Sequence, residues 1–147
     1  MTNDRSPELA ALDVLVGEWR VEVPFPDAPV GRLEMSWTLD GRYLHQRSEV
    51  PDTGIPDSMC LIGRGENGYV QHYFDSRGVT RVYRMTLEGG VWTLSRTEAD
   101  FSPLDFAQRY VGTISADGDT VEGRWETSHD GGGTWEVDFP ITYTRVR

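Results

Sequence analysis

Residues 79–98 read Val-Thr-Arg-Val-Tyr-Arg-Met-Thr-Leu-Glu-Gly-Gly-Val-Trp-Thr-Leu-Ser-Arg-Thr-Glu. Before Gly89-Gly90, the positions Val79, Arg81, Tyr83, Met85 and Leu87 alternate with Thr80, Val82, Arg84 and Thr86. After it, Trp92, Leu94 and Arg96 alternate with Thr93 and Ser95. Successive side chains of a strand point to opposite faces, so a period of two marks a strand with one buried face. Two such runs about a Gly pair make an antiparallel hairpin. The face that reads as interior carries Arg81, Tyr83 and Arg96 among its apolar residues.

The same period extends in both directions. Residues 17–23 set Trp19, Val21 and Val23 against Glu18, Arg20 and Glu22; residues 32–39 set Leu33, Met35, Trp37 and Leu39 against Arg32, Glu34, Ser36 and Thr38. Asp40-Gly41 is a tight-turn signal, with 43–50 as the returning strand. A Pro- and Gly-containing loop, 51–57, leads to strands 58–64 and 69–75 about Glu66-Asn67-Gly68. Ser76-Arg77-Gly78 turns into 79–87, and 91–98 is followed by a loop at 99–104 containing Pro103. Strands 105–115, 120–127 and 135–145 complete the chain, joined by Asp117-Gly118 and by Asp130 to Gly133.

The one helix signal is residues 7–15. Ser6 is placed as N-cap, Pro7 suits the first helical position, and Leu9, Leu12 and Leu15 share a face. The expected fold is therefore all-β: about ten antiparallel strands in up-and-down order with a short N-terminal helix. No segment is long enough for a parallel crossover. A sheet of this size must protect its edges, and closing into a barrel removes them. Eight to ten strands leave a lumen able to hold side chains or one small ligand.

The chain has 147 residues and a formal net charge of −10, with 24 acidic residues against 14 basic ones. The expectation is a single domain over 1–147 with a flexible lead at 1–6. All the basic residues are Arg, so lysine Schiff bases, P-loop lysines and lysine general bases are excluded. The acidic balance argues against nucleic acid and anionic membranes as partners, since both need a basic surface. The single Cys excludes an internal disulfide framework and a multi-Cys zinc site. No apolar run approaches the roughly 18 residues a membrane helix needs, and Met1 to Arg5 lacks the pattern of a signal peptide. These features predict a cytoplasmic protein; oligomeric state stays open, with a homodimer among the options.

Gly17-Glu18-Trp19 opens the first strand after a short helix, and Tyr143-Thr144-Arg145 closes the last. This resembles the calycin pattern of lipocalins and fatty-acid-binding proteins. The resemblance implies that the Arg145 guanidinium stacks on the Trp19 indole and seals one end of the barrel. His72 to Gly78, Gly123-Arg124-Trp125-Glu126, Trp135 to Asp138 and Tyr143-Thr144-Arg145 together resemble a family of small bacterial calycin-like domains of unknown function, with nitrobindin-type haem barrels as more distant relatives in architecture. That resemblance implies a ten-stranded barrel plugged by a helix and no particular activity. In nitrobindins a His near the end of the last strand holds the haem iron. The last strand here has none, and Asp138 falls near that place.

His129 lies in the Ser128-His129-Asp130-Gly131 turn at a barrel end while His45 and His72 lie mid-strand, which argues against a converging metal triad. His72 and Asp75, three apart on a strand, point to opposite faces unless a bulge intervenes. Cys60 sits in an apolar strand with no neighbour to activate it. Asp117-Gly118-Asp119 lacks the further ligands of a calcium loop and reads as a turn.

The informative residues are polar groups on inward faces: Arg81 and Tyr83, then Arg96, then Gln108 beside Tyr110 on 105–115, with Trp125 as aromatic wall. On the two strands whose period is undecided, 43–50 and 69–75, Gln46 and His72 are taken as inward, His72 because it would then share a face with Val70 and Phe74. Gln46, His72, Arg81, Tyr83, Arg96, Gln108 and Trp125 form the expected ligand site, with Trp19 and Arg145 structural. An aromatic lumen with a few polar anchors matches the usual form of a small-molecule site, and inward Arg favours an anionic or carbonyl-bearing ligand. The competing reading is that these groups satisfy one another and fill the barrel. No metal or cofactor is expected. A non-covalent enzyme, such as a cyclase or isomerase with His72 or Tyr83 carrying a proton, is the alternative use of the same lumen. A lumen-filled domain working through its surface is another.

Overall fold

A computed structural model describes residues 6–24, 30–51, 56–101 and 103–147. Of the expected flexible lead, residues 1–5 lie outside the described residues, as do the centre of the 51–57 loop and one residue of the 99–104 loop. Ten strands follow the helical segment: β1 (Gly17–Glu22), β2 (Gly31–Thr38), β3 (Tyr43–Glu49), β4 (Ser58–Gly65), β5 (Gly68–Asp75), β6 (Thr80–Glu88), β7 (Val91–Arg96), β8 (Ala107–Ile114), β9 (Thr120–Ser128) and β10 (Glu136–Arg145). Each pairs antiparallel with its sequence neighbour, and β1 pairs with β10, so the sheet is a closed barrel.

The helix is shorter than its period suggests. Only Pro7–Ala10 is α-helical (α1), and Ala11–Leu15 continues as a 3-10 helix. Ser6 caps it by accepting the Leu9 amide at 3.3 Å. The hydrophobic face survives the change of winding, because Leu9, Leu12 and Leu15 are all buried across the barrel end. The Tyr69 hydroxyl donates to the Glu8 carbonyl at 2.5 Å and ties the segment to β5.

At the same end the Arg145 guanidinium lies 4.2 Å from the centre of the Trp19 ring. Trp19 is directly opposite Arg145 in the β1–β10 ladder. The guanidinium donates to the carbonyls of Val16 (2.5 Å), Val14 (2.6 Å) and Gly118 (3.1 Å). These are carbonyls of the 3-10 segment and its exit and of the β8–β9 turn, so one side chain fastens helix, β10 and turn together. The Trp19 indole N–H donates to the Leu15 carbonyl at 3.0 Å.

Two glycines determine how the interior closes. Gly112 and Gly123 face each other in the β8–β9 ladder. A Cβ on either would collide with the Tyr110 ring and hydroxyl, which lie across the pair. Gly112→Ala or Gly123→Ala should therefore destabilise by about 1–3 kcal/mol, as overpacking does in a filled core. A denaturation midpoint unmoved by either change would mean that the ring is free to shift.

The facing of β3 is as expected: Leu44 and Gln46 are buried while Tyr43 and Arg47 are exposed. The facing of β5 is inverted. Tyr69 and Gln71 are buried and His72 is exposed on the outer wall. Gln71 lies between Ile62 of β4 and Tyr83 of β6, both buried, and the register then puts His72 outside between Leu61 and Val82. Aromatic rings occupy both faces of this strand, so hydrophobicity does not distinguish them, and a slip of one residue exchanges the two faces.

The β5–β6 connection is organised by Asp75, whose side chain is fully buried. Burial raises its pKa. Hydrogen bonds from the Arg77 guanidinium, the Tyr73 hydroxyl and the backbone N–H groups of Arg77 and Val79 outweigh that and hold it at about 2. A carboxylate depressed in the folded state contributes stability that is complete above its unfolded pKa of about 3.9 and is lost as pH falls through the folded value. Urea midpoints should therefore fall between about pH 4 and pH 2, and more shallowly in Asp75→Asn. Identical slopes in the two proteins would contradict this role.

Candidate functional site

A cavity of about 160 Å³ lies in the lumen. It is reached from the Ser58 end of β4, whereas α1 packs near the Gly65 end, so it occupies the half of the barrel away from the helix. The register assembles its walls. One row runs Gln46, Cys60, Tyr73, Arg81 across β3, β4, β5 and β6. The row beneath runs Leu44, Ile62, Gln71, Tyr83, of which Gln71 and Tyr83 line the cavity. The facing wall is aromatic: Trp92 and Tyr110 have ring centres 5.0 Å apart, Tyr110 and Trp125 5.4 Å, and Tyr83 and Trp125 5.8 Å. Such tilted and edge-to-face contacts are the favoured aromatic geometry.

Gln108 is the centre of the polar lining. Its Oε1 accepts from Arg81 Nη1 at 3.1 Å and from the Tyr83 hydroxyl at 2.9 Å. Burial pushes the Tyr83 hydroxyl pKa up, so it stays protonated and donating at neutral pH. Tyr73 is likewise raised by burial and donates to Asp75 at 2.8 Å. The Cys60 thiol is raised by burial alone, which makes it an unreactive wall.

Five of the expected site residues, Gln46, Arg81, Tyr83, Gln108 and Trp125, line this one cavity. His72 does not, being on the outer wall. Arg96 does not either: it is buried, but it grips Asp100, with Nε to Oδ2 at 3.0 Å and Nη2 to Oδ1 at 2.9 Å. The β6–β7 ladder stops at Arg84 opposite Ser95, and Asp100 fills the gap by accepting the Val82 amide at 2.7 Å. Arg96 is thus a latch in the wall. It borders a separate groove of about 400 Å³, which Tyr83 shares with the lumen.

Gln71, Tyr73 and Asp138 also line the cavity, and sequence periodicity does not single them out as site residues. The first two follow from the inverted facing of β5. Asp138 sits in a β-bulge, since Val137 pairs with Glu126 while Phe139 pairs with Trp125. A bulge adds a residue and re-aims side chains, and no turn residue announces this one in the sequence. Asp138 stands exposed at the cavity rim.

Five buried polar atoms among the described residues lack a hydrogen-bond partner: Gln46 Oε1, Gln71 Oε1, Arg81 Nε, Trp92 Nε1 and Tyr110 Oη. All five belong to residues lining this cavity. Among the described residues no cluster of three or more His, Cys, Asp and Glu is placed to hold a metal, and no helix is long and apolar enough to cross a membrane. In comparisons with known proteins, the chain matches no family model and no curated sequence.

Proposed function

We propose that this calycin-like barrel binds a small, partly apolar organic molecule in its lumen, with an anionic or carbonyl group of that molecule as the polar anchor point. The observation that carries the proposal is the gathering of five buried polar atoms without a protein partner on residues that line one cavity. Native interiors leave few such groups, and each costs about 1–3 kcal/mol when left unmade. An occupant with hydrogen-bonding atoms supplies what the protein lacks, and the apolar walls supply the burial.

The resident proton-transfer candidates fit less well. His72 is outside, and the Tyr83 hydroxyl is committed to Gln108 with its pKa raised by burial. A nitrobindin-like haem site is disfavoured by the absence of His from β10 and by a cavity of about 160 Å³, far below the size of a macrocycle.

The test is a fragment screen by ligand-observed NMR on the wild-type protein and on Ile141→Trp, which places an indole in the cavity. Fragment binding in the wild type that disappears in Ile141→Trp supports the reading. Silence in the wild type, or binding that the filled lumen does not affect, contradicts it.

A further inference from the structure

We propose that the lumen takes a one-ring aromatic carboxylate, with its ring against the wall formed by the Trp92, Tyr110 and Trp125 side chains and its carboxylate on Arg81. This rests on the lumen being a ligand site, and it narrows the ligand to a chemical class. Size is the first argument. A cavity of about 160 Å³ matches the roughly 150 Å³ of an apolar cavity known to take benzene. A long acyl chain or a fused polycycle would have to displace the walls.

Wall chemistry is the second. The lower cavity is formed by aromatic rings already in edge-to-face or tilted contact with one another. A planar ring continues that arrangement, and aromatic pairs favour it beyond the area they bury.

Charge is the third and most specific. The charged residues bordering the cavity are Arg81 and Asp138 among the described residues. Arg96, the other inward Arg of this hairpin, is neutralised by Asp100 at 2.9 Å. Arg81 meets no carboxylate within ion-pair distance among the described residues; its Nη1 donates to Gln108, the Tyr83 hydroxyl lies beside the guanidinium, and its Nε has no partner. Asp138 is exposed at the rim, where water screens it. A guanidinium cannot discharge to relieve an uncompensated position. With Nη1 engaged and Nε buried without a protein partner, the Nε–Nη2 edge carries the two parallel N–H groups that a carboxylate accepts bidentately once the wall side chains admit it. Gln108, itself held by Tyr83, keeps the guanidinium from swinging away.

The remaining unpartnered atoms refine the class. Gln46 Oε1 and Gln71 Oε1 accept, Trp92 Nε1 donates, and Tyr110 Oη can do either. A ring hydroxyl both donates and accepts, so hydroxybenzoates should bind more tightly than benzoate.

The experiment is isothermal titration of the protein with 4-hydroxybenzoate and, separately, with its neutral amide, in wild type and in Arg81→Gln. The acid should bind the wild type at least tenfold more tightly than the amide. In Arg81→Gln the two should bind within about twofold of each other, with the near-ultraviolet dichroism of the aromatic lumen retained. The wild-type ratio is decisive even if the variant fails to fold. Equal binding of acid and amide to the wild type overturns the carboxylate assignment and leaves the lumen as a ligand site. The carboxylate assignment falls in the same way if neither compound binds while other fragments do. If neither binds and no fragment does, the lumen ceases to be a ligand site as well.

Discussion

Trp19→Ala is expected to lower stability by about 3–5 kcal/mol, the range for deleting a large aromatic side chain from a core. The indole is only 1% exposed and belongs to the layer where the helical segment meets the barrel. Its removal would open a void under Leu12 and Leu15 and leave the Leu15 carbonyl without its donor. Arg145 adds a coupled contribution. Arg145→Met alone deprives the carbonyls of Val14, Val16 and Gly118 of their donors. A double-mutant cycle in urea should return a favourable coupling of about 1 kcal/mol for a cation stacked on a ring in a largely buried position. A Trp19→Ala cost below about 1 kcal/mol, or a coupling of zero, would show that the seal is geometry without energy.

The second large effect is expected at Arg96. Its side chain is 3% exposed and that of Asp100 is 11%, and two parallel hydrogen bonds join them. Arg96→Met leaves a nearly buried carboxylate without its cation. Breaking such a pair from one side costs about 3–5 kcal/mol, whereas replacing both partners by apolar groups costs far less. Arg96→Met combined with Asp100→Leu should accordingly be more stable than Arg96→Met by itself. Thermal unfolding of the three proteins checks the order, and a double variant weaker than the single would refute the latch.

The barrel is legible in the sequence because the two-residue period is strong and most of the tight turns among the described residues, such as Asp40-Gly41, Gly89-Gly90 and Asp117-Gly118, carry Gly or Asp. The helix is legible as a face and not as a winding: three Leu define the buried stripe whether the turns are α or 3-10. At the site, Arg81, Tyr83 and Gln108 can be found from the sequence because each shares a face with unambiguous core residues such as Met85 and Tyr110. Periodicity misplaces His72 because Tyr69, Gln71 and Tyr73 compete with Val70, His72 and Phe74 for the interior, and only the neighbouring strands decide between them. Arg96 reads correctly as inward, but its partner Asp100 is a loop residue whose position no period describes. Asp138 depends on a bulge, which shifts facing without leaving a mark in composition.

The Arg145 fork grips carbonyls 129 and 131 positions earlier in the chain. Every other ladder of the barrel joins strands adjacent in sequence, so those hairpins can nucleate locally. Closure of β1 on β10 carries the entropy of the whole intervening chain and is recovered only after the hairpins are in place. The seal should therefore be the last contact made in folding and the first released in unfolding. Trp19→Phe tests this by stopped-flow fluorescence: the unfolding limb of the chevron should accelerate while the refolding limb stays in place. A slowed refolding limb would instead place the two ends of the chain together at the transition state.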